Sequence, residues 1–181
     1  MIILGIDPGI QVTGYGVILI NDNKMIYKSS GIIKTSTKDG SLPKRLRIII
    51  QGIDEIINEY KPQSISIEKV FFNTNPNSSL ILGQARGAAI SISVINNIDV
   101  VEYTALQIKK SVVGYGHAKK FQVQSMIQKI LNLPSIVSED SSDALAAAIC
   151  HAHSMKFMSK MSDINGIKNG RLIWLVKSKE F

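Results

Sequence analysis

The apolar periodicity of this chain changes once, near residue 36, and that change sets the fold class. Before it, three runs read as strands, residues 1–7, 12–20 and 24–35. They are separated by Pro8-Gly9 and by Asn21-Asp22-Asn23. Short runs joined by turns this tight predict an antiparallel meander. After it, helical spacing dominates. Leu46, Ile49, Ile50, Ile53, Ile56 and Ile57 recur at intervals of three and four, so residues 41–60 form an amphipathic helix that Lys61-Pro62 ends. Two further strand-like runs, 64–70 and 99–103, alternate with helical stretches at 80–95, 105–113, 119–131 and 139–155, and residues 73–79 read as a polar loop. The expected order is three strands, then helix, strand, helix, strand and three helices. A meander extended by strand–helix units is the pattern of an α/β fold with a mixed, five-stranded, RNase H-like sheet flanked by helices.

Charge and composition narrow the function. The net charge is +7 over 181 residues, with 21 Lys and Arg against 14 Asp and Glu, which suits a polyanionic partner. Part of the excess lies in Lys156, Lys160, Lys168, Arg171, Lys177 and Lys179, opposed by Asp163 and Glu180. We read residues 1–157 as the RNase H-like domain and 158–181 as a basic, solvated tail. The lone Cys150 cannot form an internal disulfide, so a reducing cytoplasm is expected. It lies among alanines and reads as a small core residue, and His151 on the same helix reads as a core histidine. No uninterrupted apolar run reaches the ~18 residues that span a bilayer, and no membrane association is expected.

Acidic residues stand where strands end and a helix begins. Asp7 closes the first strand, Glu68 the fourth, and Asp140 and Asp143 open the last helix on one face. If the first and fourth strands are parallel neighbours, Asp7 and Glu68 emerge at the same end of the sheet, where open α/β sheets bind ligands. Carboxylates crowded together repel one another unless some are protonated or a cation lies between them. Mg²⁺ takes oxygen ligands and keeps exchangeable waters, and two such ions can clamp the attacking water and the leaving oxygen of a phosphodiester. Glu139 lies four residues before Asp143, so spacing alone leaves it open as a ligand beside Asp140.

These residues also match a family pattern. Leu4-Gly5-Ile6-Asp7-Pro8-Gly9 with Thr13-Gly14-Tyr15-Gly16, Ser66-Ile67-Glu68-Lys69-Val70-Phe71, Leu82-Gly83-Gln84-Ala85-Arg86-Gly87, Val112-Val113-Gly114-Tyr115-Gly116 with Lys119-Lys120-Phe121-Gln122-Val123, and Asp140-Ser141-Ser142-Asp143-Ala144-Leu145-Ala146 occur in order. Over roughly residues 1–155 the chain resembles the RuvC family of Holliday-junction resolvases. The resemblance implies an RNase H-like fold and a homodimer that makes paired nicks across a four-way DNA junction in recombination and repair. It also implies two Mg²⁺ per subunit, replaceable by Mn²⁺, and cooperation with the RuvA–RuvB branch-migration complex. By position it makes Asp7, Glu68, Asp140 and Asp143 the catalytic metal ligands. Asp140 is the least fixed of these, since some members carry His there. Phe71, Arg86, Lys109, Lys119 and Lys120 are implied as DNA contacts. Nothing in the family pattern matches the stretch after residue 155.

Other features admit more than one role. Phe71 and Phe72 suit either a strand end in the core or an aromatic wedge against unpaired bases. Gly83, Ala85, Gly87, Ala88 and Ala89, with Leu80, Leu82, Ile90 and Ile92, suit a two-fold dimer contact or close packing of residues 80–95 on their own sheet. Met155, Met158 and Met161 read as packing or an oligomer contact, and His117, in a glycine-flanked loop, as at most a phosphate contact.

Overall fold

The computed structural model describes residues 1–22, 24–69, 76–162, 167–168 and 171–172. The strands β1 (Ile2–Asp7), β2 (Val12–Asn21) and β3 (Lys24–Lys34) form the meander. A single 3₁₀ turn, Thr37–Asp39, leads into α1 (Leu42–Tyr60), followed by β4 (Ser64–Lys69), α2 (Pro76–Ile95), β5 (Asp99–Thr104), α3 (Ala105–Val113), α4 (Lys120–Ile130) and α5 (Glu139–Ser162). Beyond α5, β6 (Ile167–Lys168) and β7 (Arg171–Leu172) make a two-residue antiparallel ladder. The main sheet has five strands in the order β3-β2-β1-β4-β5. Its β1–β2 and β2–β3 pairs are antiparallel, and its β1–β4 and β4–β5 pairs are parallel. The expected mixed sheet and element order are therefore present.

Strand alternation sends side chains to two separate cores. Leu4, Ile6, Val17, Ile65 and Ile67 pack with Ile49, Ile53 and Ile57 of α1 and with Ala85, Ala89 and Ile92 of α2. Ile3 and Ile18 face the other way, onto Leu145 and Ile149 of α5, with Tyr103, Ile108, Val112, Val123 and Ile127 in the same cluster. The sheet is thus sandwiched between helices, and β4 is buried on both faces.

On the α5 side, the alternating positions of β1, β2 and β4 carry Gly5, Gly14, Gly16, Ser64 and Ser66. These small residues let the helix lie against the strand backbones. A Cβ on Gly5 would be driven into the carbonyl oxygen of Ala144, one on Gly14 into that of Asp140, and one on Gly16 would stand 2.6 Å from Leu145 Cγ. Alanines 144, 146, 147 and 148 on α5 are almost wholly buried. The helix is further pinned by His151, which bonds Ser64 Oγ through Nε2 and the Tyr103 hydroxyl through Nδ1, each at 2.8 Å. His151 is thus the core histidine expected, its charged form disfavoured by burial, and Cys150 is buried as expected.

Two boundaries and one composition differ from expectation. Helix α2 begins at Pro76, inside the stretch read as loop. Proline is pre-set for a first helical turn and has no N–H to leave unpaired, so a polar first turn after it needs no apolar signal. Helix α5 was expected to end at Met155 but continues to Ser162, because no Gly or Pro interrupts good helix formers, so the tail expected from residue 158 starts inside it. Finally, α2 is long and apolar enough to cross a membrane by length and composition, with a mean hydropathy of 1.3, where no such stretch was expected. Its leucines, isoleucines, valine and alanines keep the average high, while glycines, serines, Gln84 and Arg86 break the apolar run. The helix lies on the sheet instead, burying Ala85, Ala89, Ile92 and Ser93.

The close approach of α5 gives a direct test. Gly5→Ala is expected to cost ~1–3 kcal/mol in chemical denaturation, the usual penalty of overpacking a core that must move to accommodate a methyl group. An alanine variant as stable as the parent chain would contradict the contact between β1 and α5.

Candidate active site

The register of the parallel pair decides where the acids go. Ile6 pairs with Ile67, so the next residues along, Asp7 and Glu68, end neighbouring strands side by side. Both belong to the face that α5 covers, in step with Gly5 and Ser66. Asp140 and Asp143 occupy the first turns of α5, whose backbone rests on Gly14, the residue paired with Asp7 across β1 and β2. The strands and the helix thus bring the four predicted carboxylates to one end of the sheet.

The turn after Asp7 is held from behind. Thr13 Oγ1 donates to the Gly9 carbonyl at 2.7 Å, and Arg45 of α1 donates from Nη2 to the Ile10 carbonyl and from Nε to Thr35 Oγ1, each at 3.0 Å. Thr35 Oγ1 donates in turn to the same Ile10 carbonyl. Arg45 carries no sequence signal beyond its charge, because its role depends on a contact 35 residues away in the chain.

Asp7, Glu68 and Asp143 line a cleft of about 360 Å³ together with Leu82, Lys109 and Lys120. Capping sets the position of the first lysine. Thr104 Oγ1 accepts from Gln107 N, and Gln107 Oε1 accepts from Thr104 N, so α3 starts directly after β5 and carries Lys109 over the acids. Lys120 is the first residue of α4, which Gln122 Oε1 steadies by accepting from Lys119 N at 2.8 Å. Lys119 itself is exposed.

The electrostatics confirm the crowding. Burial, then the charges of Asp143, Glu68 and Asp140, push the Asp7 carboxyl up to about 7, against a smaller downward pull from Lys120. Burial and Asp143 raise Glu68, while Lys109 and Lys120 oppose. Burial raises Asp143, and Lys120 is its largest opposing influence. Glu139 and Asp140 both raise Asp143, and Asp140 also acts on Asp7. Glu139 pairs with Lys120.

Among the described residues, no three Asp, Glu, His or Cys side chains close around one point as a finished metal cage. The donor set nevertheless fits a hard divalent cation. It offers carboxylate oxygens only, and their mutual repulsion and partial desolvation are relieved by positive charge between them.

The remaining expected contacts fall in different places. Arg86, on α2, is paired with Glu102 of β5, and its Nε is enclosed without a hydrogen-bond partner. Phe71 and Phe72 lie outside the described residues. Met155 packs on the α5-side core, while Met158 and His117 are exposed.

The family model for the crossover junction endodeoxyribonuclease RuvC matches residues 3–151. The chain belongs to the RuvC family. The crossover junction endodeoxyribonuclease RuvC of Methylobacillus flagellatus is 54% identical over 176 residues, covering 94% of this chain and 98% of that one. The enzyme of the same name from Dechloromonas aromatica is 51% identical, covering 94% and 96%. Among solved structures, Thermus thermophilus RuvC in complex with Holliday junction substrate superposes with a TM-score of 0.82 at 28% identity, over 88% of this chain and 97% of that one. Membership accounts for the RNase H-like sheet, and the motif residues that carry it coincide with the acids at the strand ends.

The raised pKa of Asp7 predicts a pH signature. Between 3.8 and about 7, the folded protein keeps a proton on Asp7 that the unfolded chain has released. The stability this group contributes is therefore complete below pH 3.8 and is lost as pH rises to about 7. Asp7→Asn stays neutral throughout. In EDTA at pH 8 its Tm is expected to exceed that of the parent chain, with the gap closing toward pH 4. Equal Tm values at pH 8 would show that the carboxylate is not held against its own charge.

Proposed function

We propose that this chain is a divalent-metal-dependent endonuclease that resolves four-way DNA junctions by paired nicks. The observation that carries this reading is the juxtaposition of Asp7 and Glu68 at adjacent strand ends with Asp140 and Asp143 of α5, opposite two lysines in one cleft. The family relationship supplies the substrate, since the Thermus thermophilus member is known in complex with a Holliday junction.

In this reading Asp7, Glu68, Asp140 and Asp143 hold the metal, two Mg²⁺ per subunit with Mn²⁺ as a substitute. The bound ions supply Lewis-acid activation of water and charge neutralisation at the phosphate. The carboxylates must be ionised to do this, so metal binding competes with the proton on Asp7. Water attacks the phosphorus and gives up a proton to solvent, the bond to the 3′ oxygen breaks, and that oxygen takes up a proton, leaving a 5′-phosphate and a 3′-hydroxyl end. Lys109 and Lys120 face the same cleft and offset the charge that builds on the phosphoryl oxygens. Lys119 extends the basic rim along the DNA backbone, Phe71 meets the bases at the junction centre, and RuvA–RuvB delivers the junction.

The test is cleavage of a synthetic four-way junction, compared with linear duplex and RNA, in Mg²⁺ and then in EDTA. The junction is expected to be cut in Mg²⁺ alone. Asp7→Asn, Glu68→Gln and Asp143→Asn are each expected to slow cutting by ~10²-fold or more, since metal positioning supplies several kcal/mol of transition-state stabilisation. Junction binding should persist. Cleavage by Asp7→Asn at the parent rate would refute the mechanism.

Two nicks on strands of like polarity call for two sites related by a two-fold axis, which a symmetric homodimer supplies. Helix α2 supports this part of the reading. Ala85, Ala89 and Ile92 are turned into the chain's own core, so they leave the candidate interface, but Leu80, Val94 and Ile95 are exposed. Among the described residues, a Cβ on Gly83 or Gly87 meets nothing within 4 Å. Gly87→Leu therefore does not crowd the chain's own core. It is expected to lower the dimer population in sedimentation and to uncouple the two nicks. A variant that remains dimeric and still cuts both strands together would move the interface elsewhere.

A further inference from the structure

Lys120 and Glu139 form an ion pair at the mouth of the cleft, joining the first residue of α4 to the first residue of α5. Both side chains are well exposed, at 66% and 53%. Lys120 lines the cleft and acts electrostatically on Asp7, Glu68 and Asp143, whereas Glu139 does not line it. The chemistry proposed for the acids leaves Glu139 without a role.

We infer that Glu139 is the resident counter-ion of Lys120: in the DNA-free protein its carboxylate holds the ammonium at the mouth of the cleft, and an incoming phosphodiester displaces it. This rests on the reading of the cleft as the site of the scissile phosphate. A carboxylate and a phosphodiester offer an ammonium the same thing, an anionic oxygen at hydrogen-bond distance. Glu139 therefore occupies, relative to Lys120, the role of the substrate.

Two features suit the exchange. The pair is exposed, and exposed pairs shift an equilibrium by only about two- to fivefold, weak enough to be displaced. Glu139 also stands in the first turn of α5, where the helix dipole favours negative charge, so its carboxylate remains stabilised once Lys120 leaves.

The counter-ion role differs from the two other roles open to this residue. A metal ligand would act on the cation, and a bystander acid would repel DNA whatever occupied position 120. The experiment uses the full chain, Glu139→Gln, Lys120→Ala and the double variant. A four-way junction is bound in EDTA at low ionic strength, and cleavage is then followed as Mg²⁺ is titrated. Glu139→Gln is expected to tighten binding about two- to fivefold in the parent chain and to change nothing in the Lys120→Ala background. The Mg²⁺ concentration for half-maximal cleavage by Glu139→Gln is expected to match the parent. Equal tightening in both backgrounds would overturn the proposal in favour of general repulsion. A raised Mg²⁺ requirement with slower cutting would overturn it in favour of a ligand. If the parent chain neither binds nor cuts the junction, the reading of the cleft itself fails, and the parent control reveals that separately.

Discussion

The seating of α5 on bare strand backbone is the contact on which the rest of this molecule depends. A helix packed on a sheet is normally separated from the strand backbones by two layers of side chains, one from each element. Here Gly5, Gly14 and Gly16 remove one layer, and the buried alanines of α5 thin the other. The helix start thereby descends to the strand ends. Without that descent, Asp140 and Asp143 would sit a side chain's length above Asp7 and Glu68 instead of beside them at the end of the sheet. The Ser64–His151–Tyr103 bonds fix the same helix two turns further on, to β4 and β5 together. The active site is therefore a consequence of packing as much as of the acids themselves.

Such a site works against stability. Asp7 is raised to about 7 by burial and by three acids around it. Ser66, two residues before Glu68, and Ser142, next to Asp143, are enclosed with side-chain hydroxyls that lack a partner among the described residues. A polar group buried without a partner costs folding free energy. The elements that carry these groups cannot relax, because β1 and β4 are the central strands and α5 is held by glycine contacts and by His151. The two hydrophobic cores hold in place an arrangement that the charged groups alone would disperse. Divalent cations would convert that repulsion into binding energy.

Much of this was legible in the chain because the signals were local or periodic. The meander followed from turn residues, whereas the parallel placement of β4 beside β1 was only the condition on which Asp7 and Glu68 would meet, and the strand register meets it. Asp7 and Glu68 declared themselves by closing apolar runs. The capping pair Thr104 and Gln107 sits where the fifth strand was expected to give way to a helix. What escaped was long-range. Arg45 supports the turn after Asp7 through a contact that no spacing rule encodes, and Arg86, identified from its motif, is turned toward Glu102. Nor does the α5 dipole choose between Glu139 and Asp140, since both sit in the first turn. They separate only when α4 brings Lys120 up to one of them.

The acids and the cations of this cleft are held in different ways, and the difference suits their tasks. Asp7 and Glu68 stand on central strands, and Asp143 on a helix seated against them, so the carboxylates have little freedom to move. A metal site needs that, because ligand geometry fixes where the phosphate and water must lie. Lys109 and Lys120 stand on the first two turns of α3 and α4, on long stems, with Lys120 largely exposed. A bent, branched duplex does not present its phosphates at fixed coordinates, and flexible ammonium groups can follow them where strand-borne carboxylates cannot. On the proposed function, rigid charges beneath and mobile ones around the mouth would make one cleft exacting about the reacting phosphate and tolerant of the DNA that carries it.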